Sequence, residues 1–338
     1  MEDYLDHAKE MSEVQALQRR ADLAIFTTKA RSADEVVERL AGADIAITIR
    51  DRVMFDEEVL SRVGAKSLKL LSVCGPRLDP HVDLAAATRA GILVCCAPAN
   101  TVPKEPHHAT SEVTWALILG LFKSVIENQA HMRAGGWQTR ISQGVVGKTL
   151  GVVGPSGKVG KIVVTVGKAM GMRVVGWSPQ YTPDRAAEQG IECVSFDTLL
   201  RESDIVTLHA NATPQSAGLF GAKEFAAMRR HAVLINTARA ALVQETALKD
   251  ALDSGTIAAA GLDVYWNEPP PPDHWVRSHP RVLMQPHMGG FTKEGYEWIV
   301  APGVQMALDW LDGKPVNIRN PEAARAAAVP IPARWSKP

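Results

Sequence analysis

Residues 148–179, KTLGVVGPSGKVGKIVVTVGKAMGMRVVGWSP, decide the fold. The apolar, β-branched run 150–153 is long enough for a buried parallel strand. Gly154, Gly157 and Gly160 interrupt it, and 161–170 then carries Ile162, Val163, Val166 and Met170 at helical spacing. Gly171 closes that helix, and 173–177 is a second β-branched run. A strand feeding a glycine turn that opens a helix makes a phosphate cradle. Glycines let the backbone approach a pyrophosphate, and the start of the helix aims free N–H groups at it. Gly154-Pro-Ser-Gly157-Lys-Val-Gly160 has one residue more between its first two glycines than G-x-G-x-x-G. Taken alone, the stretch also reads as an ordinary strand-to-helix turn.

Outward from the cradle, strands and helices alternate. Strands are expected at 23–27, 44–49, 68–73, 92–96, 204–208, 232–236, 259–264 and 282–285. Helices are expected at 5–20, 32–40, 57–63, 84–89, 111–128, 222–228, 245–253 and 295–311. Ser32 and Ser111 are candidate N-caps. This rhythm predicts doubly wound, mostly parallel sheets, in which ligands bind beyond the strand C-termini. Arg50 and Cys74-Gly75, at such ends, are therefore pocket candidates. Residues 97–110, APANTVPKEPHHAT, read as a linker or cleft loop. The alanine- and proline-rich tail from Pro321 is expected to be poorly ordered at its end.

Composition narrows the class. The 338 residues allow two domains. Lys plus Arg equals Asp plus Glu, 37 each, which gives no reason to expect nucleic acid or an anionic membrane as partner. Cys74, Cys95, Cys96 and Cys193 contain no C-x-x-C, so no zinc site or disulfide framework is expected; reduced thiols and a cytoplasmic location are. No apolar run reaches membrane length.

The cradle, INTARAALV (235–243), AGLDVYWNEPP (260–270) and MQPHMGG (284–290) stand in an order and at spacings that resemble the D-isomer-specific 2-hydroxyacid dehydrogenases, of the phosphoglycerate, glyoxylate and hydroxypyruvate reductase type. HVDLAAATRAGILV (81–94) and HMRAGGWQ (131–138) extend the resemblance. It implies an α/β protein of two doubly wound parallel-sheet domains: a Rossmann cofactor domain, 107–300, and a flavodoxin-like substrate domain, 1–106 with 301–338. Reduction of a 2-keto acid needs a cation for the carboxylate and ketone, a general acid for the developing alkoxide, and a nicotinamide over the carbonyl carbon. The resemblance gives Arg239, His287 and Glu268 the roles of substrate-binding cation, general acid/base and partner that orients the histidine.

Further positions carry over. Gly154, Gly157, Lys158, Val159 and Gly160 would hold the pyrophosphate. Ser178 would meet the adenosine ribose. Thr237, Ala238, Asp263 and Gly289 would line the nicotinamide end. Arg50, Cys74 and Gly75 would meet the substrate carboxylate. No metal is implied. NAD is the expected cofactor. Ser178 stands where an acidic residue is usual and removes the repulsion of a 2′-phosphate, which leaves NADP open, with Arg185 the nearest cation. The family's dimers form through the cofactor domain, and the apolar 111–128 helix suits a buried interface or a core equally.

Three departures set further expectations. Pro155 removes one backbone donor from the cradle. The loop 102–108 looks longer than in relatives, and His107 or His108 would approach the substrate entrance if it is more than a solvated hinge. The given sequence begins after the family's usual first strand, which would leave the substrate-domain sheet without a central strand, so either the true start lies upstream or another segment fills the gap. A catalytically idle nucleotide-binding regulator or scaffold of the same fold is the alternative reading.

Overall fold

The computed structural model describes residues 1, 3, 5–49, 53–75, 78, 81–98, 106–138 and 141–326, with backbone alone at 65–67, 106–107 and 324–326. The chain forms two compact units, 105–292 and 1–104 with 293–338. The helix Lys293–Leu311 belongs to the second of these units.

The smaller unit contains β1 (Ile45–Ile49), β2 (Leu70–Cys74) and β3 (Leu93–Cys96), parallel and in that spatial order. Their burial on both faces explains why they read as unbroken apolar runs. Asp56 and Asp83 cap the helices Glu57–Ser67 and Leu84–Arg89 by accepting amides at their third helical positions. Ser32 does the same for Ala33–Leu40. The helix Lys293–Leu311 lies on this sheet, with the Ser72 hydroxyl donating to the Gly303 carbonyl at 2.7 Å.

The larger unit holds β4 (Thr149–Val153), β5 (Arg173–Trp177), β6 (Glu192–Cys193), β7 (Ile205–Leu208), β8 (Val233–Asn236), β9 (Ala259–Leu262) and β10 (Val282–Met284). All pair in parallel, in the order β10-β9-β8-β7-β4-β5-β6. The chain starts in the middle at β4, runs out to β6, and returns to β7 on the other side. The order therefore reverses between β4 and β7, the switch point where such sheets bind ligands. Helices cover both faces. Trp115, Leu117 and Ile118 of the helix Pro106–Lys123 pack against Leu150, Val174, Ile205 and Ile235. Phe220, Phe225, Leu248 and Leu252 fill the opposite face. Each such fully buried side chain contributes about 1.5–3 kcal/mol.

Several expectations are corrected. Among the described residues, 23–27 join neither named sheet; the Phe26 N–H donates to the Met1 carbonyl at 2.8 Å and its carbonyl accepts the Asp3 N–H at 2.7 Å. A cavity of about 130 Å³ lies beside β1, lined by residues that include Leu23, Phe26, Ile45 and Ile47. The helix expected at 111–128 begins at Pro106, because proline is tolerated in a first turn that needs no N–H. Ser111 is therefore interior, its hydroxyl turned to the His108 carbonyl. Ser124, with φ +47°, ends that helix, and Val125–Arg133 continues in a new direction. β6 is only two residues long, too short to leave a periodic signal. Pro321–Ala326 is helical, and Asn320 ahead of it is buried, accepting the Val94 amide; the end of the tail, to which the expectation of poor order applies, lies outside the described residues. Among the described residues no single helix is long and apolar enough to cross a membrane.

Candidate active site

The site is built on one edge of the larger sheet, where the chain leaves the C-termini of β4, β5, β7, β8, β9 and β10. At β4, Gly154 has φ +88°, and Gly154–Gly157 closes a turn in which the Gly157 N–H meets the Gly154 carbonyl at 3.2 Å. A Cβ on Gly160 would lie 2.2 Å from that same carbonyl, so only glycine lets the helix start this close to the strand. No side chain caps the helix Lys158–Ala169, whose first turn also carries no acidic residue. The free amides at Lys158 and Val159 are thus available to a pyrophosphate. The cradle fits a dinucleotide.

One neighbour of the cradle, His209, went unmarked in the sequence reading. His209, the first residue past β7, packs its backbone on Gly154. Its ring meets the Thr207 hydroxyl at 2.9 Å, and desolvation pushes it down to about 3, so it stays neutral. Its position one residue past a strand end was the available signal. At the end of β5, Ser178 is half-buried and its carbonyl accepts the Tyr181 N–H at 3.0 Å.

At the end of β8, Asn236 organises the turn. Its side-chain oxygen accepts the Ala238 N–H and its amide nitrogen donates to the Arg239 carbonyl, both at 3.0 Å. A short polar side chain that bonds its own following backbone in this way fixes a tight turn. Arg239 is presented, exposed, at its tip. Thr237 is buried and its hydroxyl lies 2.8 Å from that of Thr114, turned toward the helix Pro106–Lys123.

β9 and β10 supply the remaining groups. Asp263 follows the end of β9. It is buried, and its two oxygens accept the N–H groups of Met288 and Gly289 at 2.7 and 2.8 Å. Burial pushes its carboxyl above the ordinary range. It therefore ties the loop after β10 to the end of β9. Thr110 adds a bond to the Gly289 carbonyl at 2.7 Å. The loop after β9 is pinned by the Tyr265 hydroxyl on the Gln285 carbonyl and by the Trp266 indole on the Val243 carbonyl, each at 2.7 Å.

Between these loops the His287 Nδ1 meets Glu268 Oε2 at 2.6 Å, and Glu268 Oε1 accepts the Tyr265 N–H at 2.9 Å. The Glu268 hydrogen bond raises His287 above its usual range, against desolvation. Burial pushes Glu268 up, but the bonds from His287 and the Tyr265 amide, with the charges of His287 and Arg239, hold it below the usual range. Arg239 acts in the opposite sense on His287, lowering it. The guanidinium is thus close enough to be felt by both groups. His287 sits at φ +58°, a left-handed conformation a side chain adopts only at a cost. Such strain at a loop tip held from several sides is characteristic of functional positions.

In the smaller unit, Cys74 and Gly75 end β2. The Cys74 thiol turns to the Val300 carbonyl, and the Gly75 carbonyl accepts from the Cys96 thiol at 3.1 Å. Arg50, the loop 101–105 and the His107 side chain lie outside the described residues. His108 is exposed on the first turns of its helix. Among the described residues no three His, Cys, Asp or Glu side chains group to hold a metal ion.

An anion cradle, a cation and a carboxylate-paired imidazole on one sheet edge can bind a dinucleotide, hold an acid and move a proton. The family model described as D-isomer specific 2-hydroxyacid dehydrogenase, NAD binding domain, matches residues 115–289. A D-3-phosphoglycerate dehydrogenase of Archaeoglobus fulgidus is 34% identical over 82% of this chain and 51% of its own length. A glyoxylate reductase of Aeropyrum pernix is 34% identical over 88% of this chain and 86% of its own. The crystal structure of a phosphoglycerate oxidoreductase from Vibrio cholerae shares 26% identity at a TM-score of 0.81, covering 92% of this chain and 98% of that one. The chain spans about half the length of the phosphoglycerate dehydrogenases it matches.

Proposed function

The chain belongs to the D-isomer-specific 2-hydroxyacid dehydrogenase family and carries its NAD-binding domain; on that premise we propose that it interconverts a small 2-keto acid and its D-2-hydroxy acid. When bound, the nicotinamide supplies or takes the hydride. Gly154, Gly157, Lys158, Val159 and Gly160 hold the pyrophosphate, Ser178 faces the adenosine ribose, and Thr237, Ala238, Asp263 and Gly289 frame the nicotinamide end. Arg239 holds the substrate carboxylate and polarises the ketone by its charge. His287 gives its proton to the carbonyl oxygen as the hydride reaches the carbon, and takes it back in the oxidative direction. Nδ1 is committed to Glu268, which leaves Nε2 as the atom that moves the proton. Glu268 stabilises the imidazolium and fixes the ring. Arg50, Cys74 and Gly75 contribute to substrate binding.

The observation that carries this reading is the 2.6 Å His287–Glu268 pair within reach of the Arg239 charge. The test is oxidation of NADH and of NADPH against a panel of 2-keto acids. Turnover with at least one, lost in Arg239→Ala and His287→Ala, is expected. Nucleotide binding without turnover on any of them would replace the enzyme with a nucleotide-binding regulator.

The same reading makes the protein a cytoplasmic homodimer. The apolar residues of the helix Pro106–Lys123 named above are core, so they offer no interface. Six exposed large apolar side chains fall further along the chain, at Val125, Ile126, Met132, Trp137, Ile141 and Val146. We infer that they contribute the association surface. Trp137→Ser with Ile141→Ser is expected to convert a dimer to a monomer in light scattering; a wild-type monomer would refute it.

A further inference from the structure

The cradle's extra residue is held by β5 and the segments that follow it. Pro155 occupies the second position of the Gly154–Gly157 turn, where its fixed φ is at home. It is buried, and its Cγ would lie 2.8 Å from a Cβ at Gly176 of β5, a spot that the Tyr181 ring approaches at 3.0 Å. Only a glycine at 176 leaves room for the proline. The Pro155 carbonyl accepts from Gln189 Nε2 at 3.1 Å, and Gln189 Oε1 accepts from the Tyr181 hydroxyl at 2.8 Å. Tyr181, also buried, donates its N–H to the Ser178 carbonyl at 3.0 Å, closing the turn that follows β5. The Gln189 carbonyl takes Lys168 Nζ, from the cradle helix, at 2.7 Å.

One side-chain amide thus joins two loops. Its donor end holds the loop proposed to carry the pyrophosphate, and its acceptor end, through Tyr181, holds the loop proposed to carry the adenosine ribose. A glutamine suits this place because it alone among side chains of its length offers a donor and an acceptor on one rigid plane. The extra residue lengthens the cradle, and a longer loop loses more freedom on closing over a ligand unless it is ordered beforehand.

We propose that Gln189 is a positioning residue for the dinucleotide, setting the Pro155 turn against the Ser178–Tyr181 turn so that both are formed before the cofactor arrives. The proposal rests on the NAD reading above.

The test measures binding of NADH and of ADP-ribose by calorimetry, alongside kcat and Tm. In Gln189→Leu, which leaves the Pro155 carbonyl and the Tyr181 hydroxyl without their partner, the Kd of both ligands is expected to rise about tenfold. The keto-acid kcat at saturating NADH stays within about twofold, since no group that touches the reacting atoms has changed. Gln189→Glu keeps an acceptor for Tyr181 but loses the donor to Pro155, and is expected to fail as a rescue. Tyr181→Phe, the milder change, is expected to weaken both ligands about threefold, and adding it to Gln189→Leu is expected to cost nothing further. Unchanged Kd values in Gln189→Leu, or a loss confined to kcat, would overturn the clamp while leaving the enzyme reading intact. Wild-type protein that binds neither ligand would overturn both.

Discussion

Glu268→Gln tests the negative charge at the centre of the site. A glutamine oxygen can still accept the His287 Nδ1–H, and the loop holding Glu268 is anchored independently through Tyr265 and Trp266. The substitution removes the negative charge 2.6 Å from the ring and, because its amide nitrogen then faces the Tyr265 N–H, the acceptor for that bond as well. A hydrogen bond between charged partners is worth about 1.5–3 kcal/mol and a neutral one about 1 kcal/mol, a difference of roughly 0.5–2 kcal/mol. The two side chains are 41% and 36% exposed, so solvent screening places the loss toward the lower end, about 1 kcal/mol. That is roughly a fivefold loss of imidazolium at pH values above its titration.

Because Glu268 raises His287, the acid form persists to higher pH in the wild type. The kcat/KM for keto-acid reduction falls as pH rises through that raised value; in Glu268→Gln the fall begins at lower pH. The two profiles converge at acidic pH, where both imidazoles are protonated. The stability effect has its own window. The raised His287 contributes stability that is full below its unfolded pKa and is lost as pH rises through its folded one. The lowered Glu268 contributes stability present above its unfolded pKa and lost as pH falls through its folded one. The variant is therefore destabilised most between these limits, by about 2–4 °C in Tm. The assay is kcat/KM against pH for both proteins across the range where histidine titrates. A uniform loss with an unshifted limb would refute the role assigned to the carboxylate.

Other outcomes follow from the same geometry. His287→Asn is expected to lower kcat for reduction by roughly 10²-fold or more. Its Tm should change little, because asparagine tolerates the left-handed backbone that His287 adopts; a collapse in Tm would make His287 structural. Asp263→Asn sets an amide against the two backbone N–H groups of the 288–289 loop and is expected to cost about 1–3 kcal/mol by denaturant unfolding. An unchanged midpoint would mean that Asp263 does not hold that loop. Gly160→Ala drives a methyl into the Gly154 carbonyl, an overpacking of about 1–3 kcal/mol. Loss of NADH binding in calorimetry is its expected signature, and wild-type affinity would refute the cradle.

The larger sheet was legible because strands buried on both faces must be apolar throughout, and glycine is required wherever the backbone passes too close for a Cβ. Strands and helices around the cradle accordingly fall near their expected places. Local pattern failed where a partner decides the outcome. Residues 23–27 read as an apolar strand, but strand is a relation between two segments, and among the described residues no ladder forms there. Ser111 has the chemistry of a cap but lies inside a helix that Pro106 already opened. The carboxylate at 263 carries no sign in the sequence that it is buried against two amides. Nor does Gln189 show that it reaches Pro155, 34 residues away along the chain. The sequence by itself determined which segments form a parallel sheet and which residues have the chemistry for the site. Only the tertiary structure decided that His287 and Glu268 touch, that Thr237 turns toward Thr114, and that two loops share one glutamine. The reason is physical: periodicity reports which face of an element is buried, whereas the partners of a polar atom depend on how distant strand ends are brought side by side.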